Sequence, residues 1–264
     1  MITNIAIHGA AGRMGKRLVA LGSADPELKI VAAVDYEQHP DMGKDAGLLA
    51  GVNEIGVPLT AVLRGDAHAV IDFSVPHAAS GILDQCLSRK VPLVMATTGL
   101  ANDIKARLNA ASNEIPIVWS PSMSTTVNLA MKLVALAGNV LKNCSSGVDV
   151  EIVERHHRYK EDSPSGTALK FGEIVAATMG QTQHVHGREG AVGQRAATEI
   201  GYHAVRVGDN PGEHTIIFGL LGETLEINVK ASNRDCYALG ALQAAKFAAQ
   251  QKPGLYSMYD VLGL

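Results

Sequence analysis

The sequence predicts an α/β protein, with a Rossmann-type parallel sheet in its N-terminal half and a second α+β domain built on a mixed or antiparallel sheet. Three observations carry this. Apolar, strand-like runs alternate with helical segments through residues 4–119, and the first run breaks into the glycine-rich turn Gly9-Ala10-Ala11-Gly12-Arg13-Met14-Gly15. After Ser124 that alternation gives way to a long helix and then to strands joined by tight turns. Repeated strand–helix units imply parallel strands with right-handed crossovers, whereas tight turns point to antiparallel or mixed sheets.

The first strand, residues 4–8, runs through the glycine turn into a helix over 16–21. The spacing is G-x-x-G-x-x-G, with Ala11 where the usual dinucleotide fingerprint has its second glycine, so the turn alone is also compatible with no ligand. The next strand, 28–34, is nearly all apolar, as a strand buried on both faces should be, and ends in Asp35. An acid about twenty residues past the glycines is placed to accept hydrogen bonds from a ribose. Tyr36 follows with no lysine or arginine immediately beyond, which favours NADH over NADPH; Arg13 and Lys16 are the alternative cations for a 2′-phosphate. Strands over 68–73, 91–95 and 115–119 alternate with helices over 78–88 and 102–111. Ligands on such sheets bind beyond the carboxyl ends of the strands, which selects the loops Asp72-Phe73-Ser74-Val75-Pro76, Ala96-Thr97-Thr98-Gly99 and Ser120-Pro121-Ser122-Met123-Ser124.

A helix over 125–141, capped by Thr125 or Thr126, opens the second domain, and residues 148–152 alternate apolar and acidic as a half-buried strand does. The strand leads into Glu154-Arg155-His156-His157-Arg158-Tyr159-Lys160, and Ser165, Gly166 and Thr167 begin a helix over 168–179. Unpaired N–H groups at a helix start, with two hydroxyls and a cluster of cations, suit a carboxylate or a phosphate. His156 or His157 can supply a proton near neutral pH. The polar run 181–198, containing His184, His186, Arg188 and Arg195, reads as a long loop, followed by strands over 199–207, 213–220 and 224–230. An alanine-rich helix, 238–250, and the tail 255–264 are too small to stand alone and are expected to rejoin the first domain. The expected division is 1–124 plus 234–264 for dinucleotide binding, and 125–233 for substrate binding.

Composition narrows the function. A chain of 264 residues, 47% hydrophobic and 19% charged, belongs among globular proteins. A net charge of −3 gives no general attraction for nucleic acid, so a small anionic ligand is expected. No apolar run reaches the roughly 20 residues that span a bilayer, and Met1 leads straight into a strand; a cytoplasmic protein without membrane contact is expected. Cys86, Cys144 and Cys236 are far apart, without metal-site or disulfide spacing, and adjacent histidines rarely both face one ion, so no metal is expected.

The segment Glu154 to Ala168, E-R-H-H-R-Y-K-E-D-S-P-S-G-T-A, resembles the signature of the 4-hydroxy-tetrahydrodipicolinate (dihydrodipicolinate) reductase family, departing clearly only at Ser163. The likeness extends to Gly9–Gly15, the three loops above, Arg206-Val207-Gly208-Asp209, Gly212-Glu213-His214 and Lys230-Ala231-Ser232. It implies reduction of a cyclic dicarboxylate by a nicotinamide hydride, with loss of a hydroxyl as water, in lysine and diaminopimelate synthesis, by a homotetramer. By the same resemblance, His156 is the proton donor and acceptor, Lys160 a second proton donor, His157 a substrate contact, and Gly166 with Thr167 the seat of a substrate carboxylate, beside the Ser165 hydroxyl that the helix start already offers as a substrate-binding group. The coenzyme set it implies is Gly9, Ala10, Ala11, Gly12, Arg13, Met14, Asp35, Ala96, Thr97, Thr98, Ser120, Pro121, Ser122 and Met123. The alternatives are another two-domain dehydrogenase of a small amino or hydroxy acid, and a silent NADH sensor, which has no evident need of an acid beside an anion seat.

Overall fold

The computed structural model describes residues 2–264, which divide into two compact units, 2–125 with 234–264 and 126–233. In the first unit seven strands form one parallel sheet: β1 (Thr3–His8), β2 (Leu28–Val34), β3 (Leu59–Thr60), β4 (Ala69–Asp72), β5 (Leu93–Met95), β6 (Pro116–Trp119) and β12 (Gly254–Tyr256). Their order, β3-β2-β1-β4-β5-β6-β12, reverses direction between β1 and β4. A doubly wound sheet opens its ligand crevice at that reversal, beyond the carboxyl ends of the strands.

Both faces of the sheet are buried, which is why its strands are apolar at nearly every position. Ile5 and Ile7 face α1 (Arg13–Ala24) and α7 (Asp235–Ala248), while Ala6, Val70 and Met95 face α3 (Ala79–Arg89) and α4 (Asn102–Ala111). The small side chains Ala238, Ala241, Ala244, Ala245 and Ala248 let α7 lie close against the strands. Ion pairs fasten it there: Arg17 donates two hydrogen bonds to Asp235 at 2.6 and 2.8 Å, and Lys246 reaches Asp25 and Glu27 at 2.7 Å each. Between β2 and β3 lies a short helix, α2 (Ala46–Leu49), that the sequence pattern did not announce.

The second unit is a five-stranded mixed sheet in the order β11-β10-β7-β9-β8, formed by β7 (Asp149–His156), β8 (Gln183–His186), β9 (Glu199–Arg206), β10 (Glu213–Leu220) and β11 (Glu223–Lys230). Its other elements are α5 (Thr125–Leu141), whose first residue belongs to the first unit, and α6 (Gly166–Met179). The sheet is mixed, as expected: β7 inserts between β9 and β10, parallel to the first and antiparallel to the second. Two expectations are corrected here. The strand begun in 148–152 runs on to His156, so the basic cluster starts inside the sheet. The run 181–198 is not all loop: its start is the edge strand β8, a four-residue polar segment too short to show a period.

The remainder of that run is held by charge. Arg188 and Arg195 both donate to Glu151 on β7, Arg188 also reaches Glu199, Arg195 reaches Asp149, and His203 pairs with Glu151 at 2.7 Å. Burial alone would raise the Glu151 carboxyl, but hydrogen bonds from Arg188, His203 and Arg195 outweigh it and bring it down to about 2. The folded value lies below the ordinary 4.5, so this contribution to stability is complete above pH 4.5 and lost as pH falls toward 2. Chemical denaturation at stepped pH should show stability declining through that window. Glu151→Gln should flatten the decline while lowering stability at pH 7.

Candidate active site

The glycine turn leaves β1 at the point where the strand order reverses. Gly9 takes a positive φ of 77°, and a Cβ there would lie 2.7 Å from the Phe73 carbonyl oxygen; a Cβ on Gly15 would lie 2.1 Å from the Gly9 carbonyl oxygen. Only glycine lets the turn fold this tightly onto β4 and α1. The amides of Gly9 and Ala10 donate to the Val34 carbonyl at 2.9 and 3.1 Å, and the Ala11 amide donates to Asp35 Oδ2 at 2.9 Å. The acid at the end of β2 is thus fixed to the turn. Helix α1 starts at Arg13, three residues before the sequence expectation, because Gly12 is its N-cap; no side chain caps it and no acid lies in its first turn. The first-turn amides, Arg13, Met14 and Gly15, precede the first intrahelical bond, from Lys16 to Gly12. Such an end, with its partial positive charge, fits the pyrophosphate of a dinucleotide, and Asp35 fits its ribose.

The other expected coenzyme residues divide by what their side chains already do. Thr97 is buried and donates its hydroxyl to Asp72 Oδ2 at 2.8 Å; Met123 is buried in the core, and Ala10, Ala11, Ala96 and Ser120 are buried too. Thr98 and Pro121 are exposed, and Ser122 is half-buried. Sequence reasoning missed the group that binds these loops together. Asp72, fully buried, also accepts from the Ser74 amide at 3.2 Å and lies 2.7 Å from His8 Nδ1. One carboxylate therefore anchors the loops after β1, β4 and β5. The available signal was an acid closing an apolar strand.

In the second unit, alternation along β7 buries Val150, Ile152, Glu154 and His156 on one face. Glu154 is 1% exposed. Arg206, from β9, donates to both its oxygens at 2.8 Å, the Ser165 amide donates to Oε1 at 3.1 Å, and His156 Nδ1 lies 2.6 Å from Oε2. Burial alone would raise the Glu154 carboxyl; the bonds from Arg206 and His156 outweigh it and hold the group below its ordinary value. His156 is shifted down by burial, opposed by Glu154.

Ser165 is the N-cap of α6: its hydroxyl accepts from the Ala168 amide at 3.2 Å and meets His214 Nε2 at 3.0 Å. His214, opposite Glu154 on β10, is pushed down to about 4 by burial and then by its neighbour His156, so it is neutral at pH 7. Gly166 and Thr167 open the helix, with no acid in its first turn. Lys160 lies beside them in sequence and pairs with Asp162 at 2.8 Å. Asp162 is also held down by Lys160 and the Gly166 amide, against the opposing effect of burial, so a carboxylate of the chain itself faces both groups. His157 is half-buried near Tyr159, and its Nδ1 is buried without a hydrogen-bond partner. The structure thus gathers His156, Ser165, Glu154, Arg206 and His214 into one network. The last three had no assigned role in the sequence reading. Among the described residues no cluster of histidine, cysteine, aspartate or glutamate is arranged to hold a metal ion, and no helix is long and apolar enough to cross a membrane.

A doubly wound sheet carrying a glycine turn and a ribose-range acid is the fold of a dinucleotide-binding protein, and the same chain holds a buried carboxylate–imidazole pair at a helix start. Comparison with known proteins narrows the class. Family models described as dihydrodipicolinate reductase, N-terminus and C-terminus, match residues 3–123 and 126–262, and the chain belongs to that family. The 4-hydroxy-tetrahydrodipicolinate reductase of Rhodopirellula baltica is 55% identical over 269 residues, covering 99% of this chain and 96% of the relative. The reductase of the same name from Alkalilimnicola ehrlichii is 47% identical, with both chains covered completely. Among solved structures, a dipicolinate-bound dihydrodipicolinate reductase from a Paenisporosarcina species superposes with a TM-score of 0.77 at 23% identity, over 98% of this chain and 99% of that one, which speaks for the fold.

Removing the guanidinium leaves a buried carboxylate with too few donors. Arg206→Met should lower unfolding free energy by about 3 kcal/mol, against about 1 kcal/mol for loss of the helix cap in Ser165→Ala. Equilibrium urea unfolding followed by circular dichroism measures both.

Proposed function

We propose that this chain reduces (2S,4S)-4-hydroxy-2,3,4,5-tetrahydrodipicolinate to tetrahydrodipicolinate with NADH or NADPH, releasing water, in the synthesis of diaminopimelate and lysine. The observation that carries the reading is the family match over both halves of the chain, with His156, Lys160 and Ser165-Gly166-Thr167 all retained. The first unit is the dinucleotide-binding domain and the second binds the substrate. The enzyme works in the cytoplasm, where its reduced coenzyme is available, as a homotetramer assembled through the mixed sheet.

When bound, the nicotinamide supplies the hydride; the chain's own residues meet the remaining demands. The first-turn amides of α1 receive the pyrophosphate and Asp35 the adenosine ribose, with the other expected residues of the three loops around the rest of the coenzyme. Since the side chains of Thr97 and Met123 are engaged within the unit, their contacts are made through the backbone. A 2′-phosphate beside the Asp35 carboxylate would be repelled, which favours NADH.

The substrate is a dianion and must exchange water for fixed cations and N–H donors. The amides of Gly166 and Thr167 hold one carboxylate, which displaces Asp162 from Gly166 and from Lys160. His157 makes a further contact. His156 and Lys160 carry the protons: the 4-hydroxyl leaves as water with one proton while the neighbouring ring carbon gives one up, and a carbon next to the site of hydride addition then takes one, so that a turnover consumes one hydride and one proton net. Burial favours neutral His156 in the free protein. Two negative charges arriving beside it raise its proton affinity, so the acid forms where and when it is needed.

The test is NADH oxidation that depends on freshly condensed pyruvate and aspartate semialdehyde; no oxidation with either coenzyme would remove the proposal. His156→Ala should lower kcat at least about 100-fold with an almost unchanged Kd for NADH. Asp35→Ala should weaken NADH by about 1 kcal/mol or more and leave KM for the substrate nearly unaltered, as fluorescence titration and steady-state kinetics would show.

A further inference from the structure

We propose that Glu154 is the positioning residue of His156, its carboxylate fixing the imidazole in the Nδ1–H tautomer so that Nε2 alone exchanges protons. The inference rests on the assignment of His156 as proton carrier made above.

The geometry leaves the tautomer little choice. Glu154 and His156 are two apart on β7, so the pleat turns both side chains to the same face, where Nδ1 and Oε2 lie 2.6 Å apart. The carboxylate is not free to take a proton from the ring. Arg206 donates to each oxygen at 2.8 Å and the Ser165 amide donates to Oε1 at 3.1 Å, in a site that is 1% exposed. A carboxylate gripped by a guanidinium fork and a peptide N–H is ionised, and an ionised carboxylate can only accept. Nδ1 therefore carries hydrogen whether the ring is neutral or charged, and gain or loss of a proton falls to Nε2.

The second nitrogen lies beside a glycine. Nε2 faces Gly212, which has a φ of 147°; a Cβ there would stand 2.9 Å from Nε2 and 3.2 Å from Cδ2. Any side chain at 212 would crowd the reactive atom, and glycine at the foot of β10 keeps that space free of one. The charged and titratable groups facing the ring are Glu154 on its own strand, Arg206 on β9, Lys160 in the following loop and His214 on β10. The His214 ring meets it edge-on, with centroids 5.2 Å apart. Of these, only Glu154 favours the charged imidazole; burial, Lys160 and Arg206 oppose it. Glu154 thus sets which nitrogen is active and partly restores the proton affinity that burial removes.

Two-bond proton–nitrogen correlation spectra of protein labelled with ¹⁵N-histidine read the tautomer directly. The expected pattern for neutral His156, assigned by its loss in His156→Ala, has a protonated Nδ1 and a bare Nε2. A neutral ring protonated at Nε2 would overturn the proposal, and this readout needs neither turnover nor a variant at Glu154. Glu154→Gln should mix or reverse the tautomers and lower kcat on the order of 100-fold. It should also move the His156 inflection in kcat/KM to lower pH, while the Kd for NADH stays within about twofold. An unchanged tautomer and inflection in that variant would reduce Glu154 to a packing role. Because the spectrum is independent of chemistry, a wrong substrate would show in the assay alone, and a wrong tautomer in the spectrum alone.

Discussion

The second unit is organised around the cost of one buried charge. A carboxylate withdrawn from water loses several kcal/mol of hydration, and recovers it only if good donors surround it. Glu154 has such donors because of where β7 lies. Its neighbour β9 brings Arg206, β7 itself brings His156 two residues on, and the start of α6 brings the Ser165 amide, while β10 on the other side brings His214 to the Ser165 hydroxyl. Sheet order, helix start and imidazole orientation are therefore consequences of satisfying the same two oxygen atoms.

The first unit uses the same device at a different place. Asp72 lies at the carboxyl end of β4 and gathers His8, Ser74 and Thr97 from the ends of three neighbouring strands. In each unit an acid that touches no expected ligand fixes the loops that do. The two differ in the charge that balances them: a guanidinium fork holds Glu154, whereas Asp72 is met by an imidazole, a hydroxyl and an amide. Each carboxylate also meets the Nδ1 of an imidazole, His8 in the first unit and His156 in the second.

Much of this was legible in the sequence, for physical reasons. A parallel sheet buried on both faces writes itself as apolar runs, so β1, β2, β4, β5 and β6 could be placed; the glycine turn with Asp35, and the basic cluster before Ser165-Gly166-Thr167, could be singled out as candidate ligand positions. What escaped depends on distance along the chain. Arg206 meets Glu154 across 52 residues and His214 meets Ser165 across 49, and no local period encodes either. Strand order escaped likewise: alternation shows that a segment is a strand and which side is buried, but not that β7 separates β9 from β10. Short polar β8 and three-residue β12 carry too few positions to show any period.

The chain leaves its first unit near residue 125 and re-enters it at 234, and the returning piece is no appendage: α7 fills one face of the parallel sheet and β12 extends its edge along β6. During synthesis, then, the half that emerges first is the half that finishes last. The five-stranded sheet, whose residues are contiguous, has all its partners once translation passes Asn233. The first sheet must wait with an apolar face uncovered until residues 234–264 have been made. A stop soon after residue 233 should accordingly injure the sheet that carries the glycine turn, and leave the histidine-bearing sheet nearly whole.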